Sequence, residues 1–126
     1  MTDEVWGALY PNFTKGEMSC KCGCGLMNMD PDTMEVLQNL RDYLERGVVV
    51  NSGSRCQKHN KDMGGGENSR HLTGLAVDVG ISGSVEREEV LGFLYKEEMV
   101  RGKGPANGFV HFDVDQSREV RVCWLY

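Results

Sequence analysis

Two short stretches of the sequence alternate apolar and polar side chains, and they restrict the possible folds more than any other feature. From Leu75 to Val79 the order is Leu, Ala, Val, Asp, Val; from Phe109 to Asp115 it is Phe, Val, His, Phe, Asp, Val, Asp. A period of two marks a half-buried β-strand, whose successive side chains point to opposite faces. Leu75, Val77 and Val79 then share one face, with Ala76 and Asp78 opposite. In the second strand Val110, Phe112 and Val114 face a core, and His111, Asp113 and Asp115 project from the other side. A carboxylate opposite an apolar row points away from the core, towards solvent or a ligand.

A polar, turn-prone approach from Gly64 to Ser69 leads into Arg70-His71 just before the first of these strands. It delivers a second imidazole close to Asp78. His71, Asp78 and His111 together supply two nitrogens and one carboxylate. That set is sufficient to hold zinc with a fourth position open to water, as a hydrolytic site requires. Taken singly, the same residues would read as a buried, hydrogen-bonded histidine and a surface aspartate.

The chain has 126 residues, enough for one domain with a real core and too few for two. Fourteen basic residues against nineteen acidic ones leave a net charge of −5 with no basic block. Nucleic acid and electrostatic binding to an anionic membrane are therefore not expected as main partners. No apolar run approaches the roughly 20 residues that span a bilayer, so membrane insertion is not expected either. Met1-Thr2-Asp3-Glu4-Val5 lacks the basic and apolar regions of a secretory signal, so the expected location as encoded is cytoplasmic. The expected state is a monomer.

Three of the five cysteines sit together as Cys20-Lys21-Cys22-Gly23-Cys24, with Cys56 and Cys123 elsewhere. The cluster can mean a second, structural metal, a disulfide with Cys56, or reduced thiols in a small-residue turn. The odd total and the missing signal favour reduced thiols. Cys123, between Val122 and Trp124, reads as a small core residue.

Residues 1–29 read as an irregular arm in which Trp6, Tyr10 and Phe13 anchor the chain ahead of the cysteine turn. Asp30-Pro31-Asp32-Thr33 is a helix start, and Met34, Val36, Leu37, Leu40 and Leu44 recur at helical spacing until Gly47. Val48-Val49-Val50 reads as a short buried strand, followed by Asn51-Ser52-Gly53-Ser54 and then Arg55, placed to bind a carboxylate or an oxyanion. Ser84 reads as the cap of a second helix carrying Val90, Leu91 and Leu94 to about Met99. Gly102 to Gly108 reads as a flexible loop. Glu119 to Trp124 reads as a last strand beside the His111 strand. The outline is α+β.

The segments S-G-S-R-C-Q-K-H-N (Ser52–Asn60), S-R-H-L-T-G-L-A-V-D (Ser69–Asp78) and F-V-H-F-D (Phe109–Asp113) resemble the zinc D-alanyl-D-alanine carboxypeptidase family of peptidoglycan peptidases, which shares its fold with the hedgehog signalling domain. The similarity runs in order from about Phe13 to Trp124. It implies a single small α+β domain over residues 1–126, with an antiparallel central sheet and two main helices packed on one side. It implies zinc on His71, Asp78 and His111, Arg55 facing the substrate, and Ser69 and Gly74 shaping the ligand loop, with Ser69 also near the substrate. The implied partner is a peptidoglycan peptide. The implied activity is hydrolysis of peptide bonds involving D-amino acids, with a carboxypeptidase, a phage endolysin of endopeptidase type, or a zinc-held binding module as alternatives.

Members of that family usually carry a histidine two residues, or an acid three residues, before the last ligand, to take a proton from water. Here those positions hold Phe109 and Gly108. Asp113 shares the face of His111 and is the substitute candidate for the base. The competing role for it is to accept the free N–H of a ligand imidazole. Glu67, on the approach loop, is a looser candidate.

Overall fold

The computed structural model describes residues 1–126. The arm is more ordered than its composition suggests, containing two short helices, α1 (Asp3–Leu9) and α2 (Lys15–Met18). Each starts on a threonine whose hydroxyl accepts a backbone N–H. At Thr14 the Glu17 carboxylate returns a bond to the cap N–H, a reciprocal box that satisfies two otherwise orphaned donors. Helices this short are set by caps and carry too few residues to show a helical period. Trp6, Tyr10 and Phe13 are buried as expected, with the Trp6 indole N–H donating to the Phe13 carbonyl at 2.8 Å.

Helix α3 (Pro31–Leu44) begins where Asp30 accepts the Asp32 N–H at 2.9 Å, and it buries Met34, Val36, Leu37 and Leu40. It ends earlier than Gly47: Glu45 takes the left-handed conformation and closes its N–H on the Arg41 carbonyl. Strand β1 (Val49–Ser52) follows and is half-buried, not fully buried, because it lies at the sheet edge with Val49 exposed and Val50 inside. Then come α4 (Gln57–Asp62), a 3-10 turn (Arg70–Thr73), β2 (Ala76–Gly80) and α5 (Ser84–Lys96). Ser84 is the first residue of α5, not its cap. Glu86 instead turns back to accept the Ser82 N–H at 2.8 Å.

The remaining strands are β3 (Gly102–Pro105), β4 (Phe109–Asp113) and β5 (Val122–Cys123), and the sheet order is β1-β2-β4-β3-β5. All pairings are antiparallel except β3 with β5. The segment from Gly102, expected as a flexible loop, is thus a strand. Its glycines hide the period-two pattern, and they are required there. A Cβ on Gly102 would meet the Asp113 carboxylate, and one on Gly104 the Trp124 and Tyr126 rings. The last strand is also shorter than expected and pairs elsewhere. Both edges of β4 are already taken by β2 and β3, so the chain after Asp115 can add only beyond β3. At that outer position Cys123 is exposed, not in the core.

Helices α3 and α5 pack on each other and on the apolar face of β2, β3 and β4. One core joins Trp6 of the arm, Met34 and Leu37 of α3, Leu94 of α5, and Val77, Val110 and Phe112 of the sheet. Asp78 of β2 and His111 and Asp113 of β4 lie on the sheet's other face. No helix is long and apolar enough to cross a membrane.

Candidate metal centre

Asp78 and His111 stand directly opposite each other in the β2–β4 ladder. Directly opposed residues in a ladder have side chains close enough to share a ligand. His71 arrives from the 3-10 turn, which Ser69 caps by accepting the His71 N–H at 3.4 Å and which Gly74 closes at φ 74°. The His71 Nε2 lies 3.1 Å and the His111 Nδ1 2.9 Å from the same Asp78 oxygen, Oδ1. The candidate ligand atoms of all three lie within 4.8 Å of one another, and all three residues are buried.

The outer faces of both imidazoles are also fixed. Gly53 offers only a carbonyl, so the His71 Nδ1 must carry the proton it donates across 2.8 Å, leaving Nε2 for a metal. The His111 Nε2 faces Asp113 Oδ2 at 3.5 Å, leaving Nδ1 turned to Asp78. Metal-bound histidines are held in this way, by an acceptor on the nitrogen that does not bind.

Burial by itself would raise the Asp78 carboxyl, but hydrogen bonds from His111 and His71 outweigh it and hold the group well below the usual carboxylate range. For His111 burial works against the charged form, and contacts with Asp113 and Asp78 overcome it, raising the imidazole above its ordinary value. Asp113 is fully buried. Burial pushes it up, while His111 and the Arg118 guanidinium together bring it below its ordinary value.

Arg55 reaches the centre through the ligand carboxylate. Its Nη2 donates to Asp78 Oδ2 at 3.0 Å, its Nε to Ser52 Oγ at 2.9 Å and its Nη1 to Asn60 Oδ1 at 3.3 Å. Asp113 receives Arg118 on both oxygens, at 3.1 and 3.2 Å. Asp115 lies beside the centre, not in it: Ser117 and Arg70 bind its carboxylate and lower it to about 2.

A cavity of about 580 Å³ opens over the three candidate ligands. Arg55 and Ser69 line it, as do Arg70, Arg118, Trp124 and Tyr126, whereas Asp113 and Glu67 do not. Glu67 lines a neighbouring hollow with Gln57 and Lys61. Sequence reading missed Arg118 and the two aromatics. Trp124 and Tyr126 pack on His111 with ring centroids 5.1 and 6.4 Å away, from the chain that runs along the outer edge of β3. Their alternation two residues apart was the available signal. A separate group, Cys20, Cys22, Cys24 and Cys56, also brings its sulfurs within 4.8 Å of one another, all as free cysteines.

The sequence family described as Peptidase M15 matches residues 11–113, spanning the arm after α1, the 3-10 turn and both strands that carry candidate ligands. The chain belongs to the peptidase M15 family. Among curated proteins no sequence matches it. Membership makes the chain a zinc metallopeptidase by family, and the centre fits that metal: two imidazole nitrogens and a carboxylate oxygen converge, and each imidazole meets an acceptor at its far nitrogen, the Gly53 carbonyl at 2.8 Å and the Asp113 carboxylate at 3.5 Å. The match ends at Asp113, so Arg118, Trp124 and Tyr126 lie beyond it.

Proposed function

We propose that this chain is a D-alanyl-D-alanine carboxypeptidase, hydrolysing bonds between D-amino acids at the ends of peptidoglycan stem peptides. The observation that carries this reading is a pair of guanidinium nitrogens left over at the cavity. Arg55, Arg70 and Arg118 line it, each ion-paired with one aspartate, Asp78, Asp115 and Asp113 respectively. Beyond those pairs, Nη2 of Arg70 and Nη1 of Arg118 make no hydrogen bond within the protein. That suits a substrate ending in a free carboxylate beside the bond to be cut.

Zinc bound by His71, Asp78 and His111 would supply Lewis-acid polarisation of the scissile carbonyl and a more acidic water. The chain's own groups do the rest. Gly53 and Asp113 fix the two imidazoles, so that each presents one chosen nitrogen. Arg55 keeps the Asp78 carboxylate turned to the centre, with all three of its guanidinium nitrogens engaged. Arg118 commits Nε and Nη2 to Asp113, leaving Nη1 for the substrate carboxylate or a developing oxyanion. Trp124 and Tyr126 wall the cavity on the His111 side. Asp113 serves as the orienting carboxylate of His111, because both its oxygens are engaged and it lies outside the cavity lining.

One observation favours a second reading, a zinc-held module that binds wall peptides without cleaving them: no uncommitted carboxylate lines the cavity to accept a proton. Incubating the zinc-loaded chain with D-Ala-D-Ala-ended peptides and with purified peptidoglycan separates the possibilities. Released D-alanine supports the carboxypeptidase. Internal fragments without D-alanine release point to an endopeptidase of endolysin type, and absence of any product from zinc-loaded protein overturns the enzyme reading.

A further inference from the structure

We propose that Cys20, Cys22, Cys24 and Cys56 form a second metal site, a structural tetrathiolate zinc centre that clamps the N-terminal arm to the loop carrying Arg55. The distances between sulfurs decide the chemistry. Cys20 and Cys22 stand 3.4 Å apart, Cys22 and Cys56 3.7 Å, and Cys20 and Cys56 3.8 Å. Four sulfurs about 2.3 Å from a central zinc occupy the corners of a tetrahedron whose edges are about 3.8 Å. A disulfide would require about 2.05 Å and would join sulfurs in pairs. Three mutual separations near one tetrahedral edge describe a cage and not a bridge. Cys24 supplies the fourth corner, its sulfur lying within 4.8 Å of the others.

The surrounding backbone supports thiolates. The Cys56 N–H donates to the Cys20 sulfur at 3.4 Å, and the His59 N–H donates to the Cys56 sulfur at 3.3 Å. Both contacts stabilise negative charge on sulfur. Zinc uptake then forms four Zn–S bonds and releases the thiol protons to solvent, with no change of oxidation state. An all-sulfur tetrahedron selects zinc or an iron centre over hard, oxygen-seeking cations.

The position of the cluster gives it a purpose. Cys56 directly follows Arg55, and the segment Gly53–Cys56 runs between the sulfurs and the peptidase centre. Its Gly53 carbonyl orients His71, its Ser54 N–H bonds the Met18 carbonyl at 2.9 Å, and its Arg55 N–H bonds the His71 carbonyl at 3.2 Å. The arm's helices are too short to be stable in isolation, so its position depends on tertiary ties such as the buried Trp6, Phe13 and Met18. A metal joining residues 20–24 to residue 56 fixes the arm and the Arg55 loop together.

The test is metal content of the full chain, reduced, loaded with zinc and desalted. The expected result is about two zinc ions per chain, about one in His111→Ala, and about one in Cys22→Ser/Cys24→Ser. Cobalt substitution adds a readout independent of any variant's folding. Thiolate-to-cobalt charge-transfer absorption should appear in the unmutated chain, persist in His111→Ala and vanish in the cysteine variant. Alkylation of the zinc-loaded native chain should label exposed Cys123 and spare the other four until metal is stripped. Labelling of Cys22 and Cys24 as fast as Cys123, a mass deficit from disulfide formation, or no thiolate–cobalt band would overturn the proposal. Visible iron–sulfur absorption in protein as isolated would overturn the assignment to zinc. Because His111→Ala empties only the peptidase centre, failure here is distinct from failure of the peptidase reading.

Discussion

Replacing Asp113 by asparagine tests how the His111 ligand is held. The native carboxylate is fully buried and offers two acceptor oxygens, one shared between Arg118 Nη2 and the His111 Nε2 and the other facing Arg118 Nε and the Asp115 N–H. An asparagine has one acceptor, and its amide nitrogen would point donors at donors. With its oxygen in the shared position it keeps His111 and Arg118 Nη2 but turns its amide on Arg118 Nε, and with its oxygen in the other position it loses His111. Leaving one buried donor unmatched costs about 1–3 kcal/mol, and because the Arg118 side chain keeps some solvent contact the lower half of that range applies to folding. If the bond to His111 is the one lost, zinc affinity should fall about 10- to 100-fold, or about 1.4–2.8 kcal/mol, as expected when the outer partner of a metal-bound histidine is removed. The assay is zinc competition against a chelating dye, with peptidase activity followed from limiting to saturating zinc. Activity should return in large part once the site is saturated. Unchanged zinc affinity with activity abolished at saturation would refute the orienting role and make Asp113 the proton acceptor.

Other substitutions and conditions probe the same construction. Arg55→Lys replaces a guanidinium that makes three separate hydrogen bonds by a single ammonium, so Asp78, Ser52 and Asn60 cannot all be satisfied. Activity should drop at least about 10-fold, with thermal unfolding lowered, and a lysine variant equal to the parent would remove Arg55 from any such role. Gly74→Ala puts a side chain on a residue at φ 74° against the Asn28 carbonyl and Met29. A loss of about 2 kcal/mol or more is expected in urea unfolding, and a loss under 0.5 kcal/mol would mean that the turn carrying His71 relaxes freely. The metal-free and zinc-loaded chains should differ in their pH dependence. The His111 imidazole is raised by its carboxylate neighbours, so in the metal-free chain its stabilising charge is fully present below 6.5 and disappears as pH rises through the raised value. Zinc replaces that proton, so over the same interval the zinc-loaded chain should gain stability while the metal-free chain loses it. Parallel melting curves across that interval would contradict the pairing of His111 with the two aspartates. The Asp78 contribution stays constant there, being present above 3.8 and lost only as pH falls towards its lowered value.

The candidate metal ligands were legible because strand periodicity is local. Alternation in residues 75–79 and 109–115 placed Asp78 and His111 on polar faces before any pairing was known, and the turn-rich approach marked His71. The capped helix from Pro31 was equally local, since a cap and an apolar stripe lie within one segment. Segments whose structure depends on distant partners were not legible. Gly102–Pro105 has no pattern of its own, and it becomes a strand because β4 offers it an edge and because Asp113 and Trp124 occupy the space a side chain would fill. The final strand could not join β4 because β2 and β3 already cover both its edges.

The same division runs through the site. Residue types and spacing determined which side chains can bind a metal and that they share a face. Only the tertiary structure showed what each carboxylate is paired with. Asp113 looked available because a strand places it beside His111, yet Arg118, five residues further along, folds back and takes both its oxygens. Arg55 was expected to face the substrate; it lines the cavity, and each of its three nitrogens also bonds within the protein, to Asp78, Ser52 and Asn60. Cys56 lies more than thirty residues from the cysteine turn in sequence, and only the folded arm brings their sulfurs together. Periodicity reports the face on which a side chain stands. Its partners come from parts of the chain that local sequence does not describe, and in a buried site the partners set charge, tautomer and reach.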